Sequence, residues 1–311
     1  MSHSLVTYVT SGGLYALSSV TMFLVNKLAI HAFPLTCSLI YLQNATTIVI
    51  LLLLWTWNEQ FAVEWDNQAA TRWLPAVAAF TTMLVSSLQG MKYISIPTFV
   101  VFRNLNSLSV ALGDRFILQR KITPLVFVSL VIIPIGSFVY GYYDLQFHPS
   151  GYVWIMINLL SMAVYTIYVK WITIRHKYTS FTMSFYNNIL SIPPLLVLMM
   201  HHNEVHPAIE KITSMSMGQL LLLTLSCVLG FCISYFGFAA QRVFSATAWI
   251  TINNLNKIPA IYLGILVFGD KISWMSFFGL CISMGGGFLF AYEGYRIKKA
   301  EDAARQKGAV P

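Results

Sequence analysis

Residues 104–123 read NLNSLSVALGDRFILQRKIT, and residues 254–273, which lie 150 positions later, read NLNKIPAIYLGILVFGDKIS. The two stretches share an Asn-Leu-Asn triplet at their start and a Lys-Ile-Thr or Lys-Ile-Ser triplet at their end. Two further pairs match in the same register, Gly136 with Gly286 and Tyr142 with Tyr292. Apolar matches are common by chance in an apolar chain, but polar and glycine matches in one register predict an internal repeat.

The composition around this repeat is that of a membrane protein. Of 311 residues, 57% are hydrophobic and 10% are charged, whereas an average soluble domain carries about 25% charged residues. Apolar stretches long enough to cross a bilayer as helices recur from end to end. The sequence therefore predicts an all-α integral membrane protein with ten transmembrane helices. We expect these near residues 5–30, 35–57, 71–93, 97–118, 123–143, 150–173, 180–200, 216–240, 245–268 and 273–293.

The repeat divides the ten expected helices into two sets of five. Residues 1–146 hold the first five-helix repeat, residues 147–295 hold the second, and residues 296–311 form a basic tail. Because five is an odd number, the second set enters the membrane from the opposite face, which makes an inverted-topology repeat. Two halves of one fold in opposite orientations can exchange roles, so a central site opens to each side in turn. The arrangement predicts a transporter, since a receptor or a structural membrane protein has no need of it.

Lysine and arginine are distributed unequally between the two sides of the expected membrane. If both termini are cytosolic, most basic loop residues are cytosolic too: Arg72, Arg120, Lys121, Arg175, Lys177, Arg242, Lys298, Lys299, Arg305 and Lys307. The opposite loops hold only Lys211 and Lys271. Because cytosolic loops carry the excess of lysine and arginine, we expect cytosolic termini. The net charge of +8 comes with no basic arm or binding motif, so nucleic acid is excluded as a partner.

Two cations are expected at membrane depth, where charge is costly and usually functional or paired. Lys257 lies near the middle of its span, after the run Asn253-Asn254-Leu255-Asn256, and Arg103 lies in the repeat-related fourth span. A helix interrupted near Lys257 would expose amides and backbone groups to a cavity. Excess buried positive charge predicts a phosphorylated ligand. The alternative is that each cation pairs with an acid from another helix. Lysines near helix ends can instead extend to the interface, as expected for Lys27, Lys92 and Lys170.

A second polar cluster, Phe185-Tyr186-Asn187-Asn188, lies in the seventh expected span. Adjacent amides in an apolar helix require partners. An asparagine side chain offers a donor and an acceptor side by side, which suits the edge of a nucleobase. The alternative is that the amides only join helices. Aromatic residues that could line a pocket are Tyr15, Phe99, Tyr186, Tyr235 and Trp249.

Taken in order, these motifs resemble those of the nucleotide-sugar transporters of the drug/metabolite transporter superfamily, specifically the Golgi GDP-mannose transporter group. Phe185-Tyr186-Asn187-Asn188 is like the FYNN motif of that group, and Leu255-Asn256-Lys257 is like the end of its GALNK motif. The resemblance covers about residues 10–295. Supporting matches are Tyr15, Asn26-Lys27, Phe102-Arg103-Asn104-Leu105 and Ile233-Ser234-Tyr235.

The resemblance implies a role for each matching residue. Asn187 and Asn188 would read guanine with Tyr186 alongside, while Lys257 would hold the phosphates with Asn256 next to it. Tyr15, Ser234 and Tyr235 would line the nucleotide or sugar pocket. It also implies exchange of a cytosolic GDP-sugar, GDP-mannose first, for luminal GMP across a Golgi membrane or another endomembrane.

Two departures from the family pattern concern the surroundings of the sugar. Asn253-Asn254 stands where the family has Gly-Ala, and Phe99 and Trp249 stand where it has tyrosines. A different nucleotide-sugar, such as a UDP-sugar, or a phosphorylated metabolite therefore stays open as cargo. Besides the exchanged ligands, the expected partners are the lipid bilayer and a second copy of the chain. No carboxylate pair, metal cluster or nucleophile–base arrangement emerges, so we expect no enzyme, cofactor or metal.

Overall fold

The computed structural model describes residues 5–57, 65–117, 119, 122–176, 178–243 and 246–306. Within these ranges it leaves out the side chains at positions 5–11, 114, 117, 174, 241–252, 254, 298–299 and 301–306. The described backbone folds into helices, with no strand among these residues. In order they are α1 (Leu5–Ala32), α2 (Thr36–Trp57), α3 (Asn67–Met91), α4 (Ile96–Arg103), α5 (Asn106–Ile117), α6 (Pro124–Tyr142), α7 (Pro149–Arg175), α8 (Ser180–His201), α9 (Val205–Ser214), α10 (Met217–Val243), α11 (Ala246–Phe268) and α12 (Trp274–Gln306).

The helices have the properties of membrane spans. Within the described ranges, eight are long and apolar enough to cross a bilayer: α1, α2, α3, α6, α7, α8, α10 and α12. Large apolar side chains lie on the outside, such as Leu17 at 67% and Phe138 at 72% exposure. Polar side chains such as Asn158 and Ser283 are buried instead. Apolar outside and polar inside is the arrangement that surrounding lipid favours. The chain is therefore an all-α, multi-pass integral membrane protein.

Three segments differ from the expected arrangement: two of the expected helices and one expected loop. The span expected at 97–118 consists of two short helices, α4 and α5, separated by a turn at Asn104-Leu105. The turn is tight, because the backbone N–H of Asn104 donates to the carbonyl of Val101, three residues earlier, at 3.1 Å. The loop expected at 201–215 contains the short helix α9, and the last helix extends to Gln306.

The helix break that the sequence favoured near Lys257 is found about 150 residues earlier instead, between α4 and α5. Helix α11 runs without interruption from Ala246 to Phe268, although Pro259 lies inside it. Neighbouring helices can satisfy the carbonyl that a proline leaves unpaired, so a membrane helix tolerates it.

Several helices begin at a side chain that caps them. In each case the oxygen of an Asp, Ser or Thr accepts a hydrogen bond from a backbone N–H two or three residues farther on, which satisfies a donor left free by the first turn. The capping residues are Asp66 for α3, Ser95 for α4, Thr123 for α6 and Thr179 for α8.

Helices α6 and α12 cross with their backbones in contact. A methyl group added at Gly136 would lie 2.3 Å from the backbone nitrogen of Ser283, and one at Gly279 would lie 2.5 Å from that of Tyr140. One at Gly286 would lie 2.8 Å from the Ile133 side chain. Small residues at a crossing let membrane helices approach closely, where dispersion and weak hydrogen bonds hold them together. The crossing therefore depends on glycine at these positions.

The C-terminal ends of α1 and α11 meet the start of α4 at a buried ion pair. The Lys27 ammonium lies 3.1 Å and 3.3 Å from the two carboxylate oxygens of Asp270, and 4.5 Å from the ring centre of Phe268. Asp270 also accepts a hydrogen bond from the backbone N–H of Ile96 at 3.1 Å. The expectation that Lys27 extends to the interface is therefore wrong. Its ammonium is buried because a carboxylate neutralises it.

A second buried carboxylate caps α2 in the same way. Glu204, in the connection between α8 and α9, accepts hydrogen bonds from the backbone N–H of Ser38 at 2.8 Å and from its hydroxyl at 3.0 Å. A carboxylate at a helix N-terminus is stabilised by the unpaired N–H groups and by the helix dipole. The start of α2 is thereby joined to the end of α8.

Candidate substrate-binding site

Lys257 of α11 meets the broken helix α4–α5. Its ammonium donates a hydrogen bond to the side-chain carbonyl of Asn104, which lies in the turn between α4 and α5. The Arg103 guanidinium, at the end of α4, is close enough to act on this ammonium electrostatically. Two cations in one membrane-embedded cluster repel each other. An anion bound beside them would relieve that repulsion.

Arg103 is held among aromatic side chains. The carbon at the centre of its guanidinium lies 5.5 Å from the ring centres of both Phe23 and Phe99, within the range of cation–π attraction. The hydroxyl of Tyr15 donates to the Asn253 side-chain oxygen at 2.6 Å, and Tyr15 also interacts electrostatically with Arg103. Helices α1, α4 and α11 therefore bring together five residues singled out in the sequence: Tyr15, Phe99, Arg103, Asn253 and Lys257.

The amide pair of α8 forms a second cluster with α7 and α10. The Asn187 amide nitrogen donates to the hydroxyl of Tyr165. The Asn188 amide nitrogen donates to the Ser184 carbonyl at 2.7 Å and to the Ser234 hydroxyl at 3.1 Å. These bonds join three helices, as the alternative interpretation expected. The side-chain oxygen of Asn187, however, is buried without a hydrogen-bond partner among the described residues. A buried acceptor left unpaired costs free energy, so it is a natural contact for a ligand donor.

The neighbouring aromatic residues are packed against protein. The Tyr186 hydroxyl accepts a hydrogen bond from the Asp66 backbone N–H at 3.0 Å, and its ring stacks on Trp73 with the ring centres 6.5 Å apart. Tyr235 stacks on Phe231 with the ring centres 5.8 Å apart. Both tyrosines are therefore fixed in place by aromatic neighbours, and each lies one residue along its helix from a member of the amide cluster, Asn187 or Ser234.

Helix α10 connects the two clusters. A methyl group added at Gly237 would lie 3.7 Å from the Tyr15 ring, so Tyr15 lies directly over the α10 backbone. Ser234, which binds Asn188, lies three residues earlier on the same helix, a rise of about 4.5 Å. The cationic cluster and the amide cluster are therefore next to each other in the fold.

The remaining candidate residues are described only in part. The Asn256 side chain is buried, and its amide nitrogen lacks a hydrogen-bond partner in the part of the chain that the structure describes. Trp249 and Asn254 lie on α11, but their side chains are outside the described residues.

Several contacts of the site could not be found by reading along the chain. In the sequence, Asn104 is noticeable only as the first residue of one of the two Asn-Leu-Asn triplets. Its contact with Lys257 depends on the fold. Ser283, Phe23 and Tyr165 carry no motif, since single serines and aromatic residues are common in an apolar chain. Only the packing of α1, α7 and α12 against the site reveals them.

Basic side chains and buried amides gathered among membrane-spanning helices define a class, that of membrane carriers. The profile of the UAA transporter family matches residues 10–294. The chain belongs to the UAA transporter family, and it is a transporter rather than an enzyme.

Individual relatives are similar along most of the chain. The GDP-mannose transporter GONST3 of Arabidopsis thaliana is 28% identical over 293 residues, which cover 92% of this chain and 77% of that protein. GDP-fucose transporter 1 of Arabidopsis thaliana is 30% identical, with 88% of this chain and 82% of that protein covered. The GDP-mannose transporter of Kluyveromyces lactis is 25% identical, with 94% and 92% covered. A crystallised protein of 12% identity superimposes on 94% of this chain and 99% of its own length with a TM-score of 0.59, which shows a shared fold.

Proposed function

We propose that this transporter carries a GDP-sugar into the lumen of the Golgi or another endomembrane compartment in exchange for GMP. The leading candidate for the GDP-sugar is GDP-mannose. The observation that carries the proposal is the pair of basic side chains within the helix bundle: Lys257, which donates to Asn104, and Arg103, which directly precedes Asn104. A nucleoside diphosphate supplies the negative charge that such a cluster attracts.

The guanine part of the proposal rests on the amide cluster and on the relatives. The unpaired oxygen of Asn187 can accept a hydrogen bond from a base edge. Relatives that match most of the chain are named GDP-mannose and GDP-fucose transporters. These ligands have guanosine diphosphate in common and differ in the sugar. The sugar is thus the less constrained part of the ligand, as the Asn253-Asn254 departure already suggests.

The proposed architecture has ten spans in two inverted repeats, with α4 and α5 together as one broken span. Shifting the sequence by 150 residues equates α1 with α7, α2 with α8, α3 with α10, α4–α5 with α11, and α6 with α12. Helix packing is consistent with this symmetry. Helix α1 packs on α10 as α7 packs on α3, and the self-related pairs α2–α8 and α6–α12 are in contact. Such symmetry supports alternating access by rocking of the two halves.

The exchange reaction follows from the same cations. A site that is unfavourable when empty is stabilised by an anionic ligand, so the halves change conformation most readily when a nucleotide is bound. GMP can occupy the site on the return step. The lysine and arginine asymmetry supports cytosolic termini, and a second copy of the chain stays a candidate partner.

Reconstitution into liposomes tests the proposal. Protein would be placed in vesicles loaded with GMP, and uptake of labelled GDP-mannose would be measured. Lys257→Ala should lower uptake at least about ten-fold, because it removes a charge-assisted bond to phosphate. The matched control is Lys271→Ala, which removes an exposed lysine from the loop after α11 and should leave uptake unchanged.

The outcomes separate the candidate cargoes. Unchanged GDP-mannose uptake by Lys257→Ala would refute the role of this lysine. Uptake of UDP-sugars in preference to GDP-sugars, or of a phosphorylated metabolite alone, would favour the alternative cargoes. Thermal unfolding against a panel of nucleotides gives an independent check, since only ligands of the folded state raise the melting temperature.

A further inference from the structure

Two lysines within the helix bundle contact side chains of different charge. Lys27 contacts the carboxylate of Asp270 at 3.1 Å, and the two charges cancel. Lys257 donates instead to the side-chain carbonyl of Asn104, a neutral group. The side chains of Asn104 and Asp270 have almost the same shape. These two contacts therefore differ mainly in charge.

The orientation of the Asn104 side chain is fixed by its other contacts. Its amide nitrogen donates to the Ser283 hydroxyl of α12 at 3.1 Å, and that hydroxyl lies 3.2 Å from the Ser137 hydroxyl of α6. An ammonium can only donate hydrogen bonds. The oxygen of the Asn104 amide must therefore face Lys257, and the nitrogen must face Ser283.

The α6–α12 crossing provides the support for this arrangement. Ser283 lies at the point where the Gly136 backbone touches α12, so it is attached to a closely packed pair of helices. The turn at Asn104-Leu105 then directs the amide from that support toward α11. The Asn104 side chain is itself buried, which limits its freedom to rotate.

We infer that Asn104 is a positioning residue for Lys257. It orients the ammonium through a neutral carbonyl and leaves the positive charge available to the phosphates of the ligand. A carboxylate at position 104 would orient the ammonium equally well but would neutralise it. The inference rests on the proposed function, because it requires a phosphorylated ligand at Lys257.

Comparing GMP with guanosine tests the inference, since the two ligands differ only in the phosphate. Affinities of the purified protein would be measured by calorimetry or by ligand-induced thermal stabilisation. Asn104→Asp should lower GMP affinity at least about ten-fold, the effect of losing a charge-assisted contact, and should leave guanosine affinity unchanged. Its melting temperature without ligand should be kept or raised, because an ion pair replaces a neutral contact. The comparator Asn104→Ser adds no charge but removes the carbonyl that Lys257 contacts, so we expect a smaller loss of GMP affinity, about five-fold as for one neutral hydrogen bond, with guanosine affinity unchanged.

A second variant tests the orientation without placing a new charge in the membrane. Ser283→Ala removes the acceptor of the Asn104 amide nitrogen. Loss of one neutral hydrogen bond corresponds to about five-fold in affinity, and we expect this loss for GMP and not for guanosine. If Asn104→Asp does not fold, the GMP and guanosine affinities of Ser283→Ala decide whether Asn104 positions Lys257.

The results distinguish this inference from the proposed function. If the natural protein binds neither GMP nor GDP-mannose, the proposed function fails. If it binds GMP, and Asn104→Asp or Ser283→Ala binds GMP just as tightly, the proposed function stands and the role of Asn104 is overturned. An equal loss of GMP and guanosine binding in both variants would also overturn it, because a purely structural role affects both ligands.

Discussion

The ion pair between Lys27 and Asp270 predicts a particular pattern of stability changes. The two side chains are only 9% and 6% exposed. Removing either partner leaves the other charge buried and unmatched, which costs about 3 kcal/mol. Lys27→Met removes the charge and keeps the length of the side chain. Asp270→Asn removes the charge and keeps an oxygen to accept the Ile96 N–H, so the cap of α4 is preserved.

The double variant, Lys27→Met with Asp270→Asn, buries neither charge. We therefore expect it to be at least as stable as either single variant, which corresponds to a coupling energy of about 3 kcal/mol. The measurement is the free energy of unfolding, or the melting temperature, of the four proteins in one detergent. Lys271→Met, next to the pair but exposed, is the control and should melt like the natural protein.

Additive effects would contradict this reasoning. If the loss in the double variant equals the sum of the two single losses to within about 0.5 kcal/mol, the two side chains are not coupled. Lys27 would then be solvated separately, as the sequence alone first suggested.

Two further predictions concern packing and recognition. Gly286→Ala should lower the melting temperature, because the added methyl group meets Ile133 at 2.8 Å, whereas Gly285→Ala next to it meets nothing within 4 Å and should be neutral or stabilising. Equal melting temperatures would show that α6 and α12 can separate without cost. Asn187→Ala should reduce the preference for guanine over uracil nucleotides in competition binding, since it removes the unpaired acceptor. A preference that survives would mean that the amide only joins helices.

Features that depend on a short stretch of chain could be predicted from the sequence. Membrane-spanning helices, the motif around Lys257 and the amide pair are local patterns. The structure brings Tyr15, Phe99, Arg103 and Asn253 near one another. The position of the helix break was not accessible. The Asn-Leu-Asn triplet occurs at residues 104–106 and again at 254–256, yet the helix is broken only at the first triplet, and Pro259 lies in the unbroken helix α11.

The partners of buried charges were also beyond the sequence. Lys27 and Asp270 are separated by 243 positions, and nothing in the local pattern of either residue indicates the other. The same holds for Asn104 and Lys257, which are 153 positions apart. Long-range pairing is determined by how helices pack, and helices of similar hydropathy can pack in many ways. Charge at membrane depth indicates that a partner is required but does not identify it.

The glycine contact between α6 and α12 constrains how this molecule can move. Backbones that touch, with no side chain between them, leave no space to be compressed and no flexible group to rearrange. A conformational change that preserves this contact must rotate the rest of the molecule about it. The displacement of an atom is then small near the contact and grows with distance from it. Asn104 and Ser283 lie close to this contact, so Lys257, which donates to Asn104, would be displaced little by such a rotation.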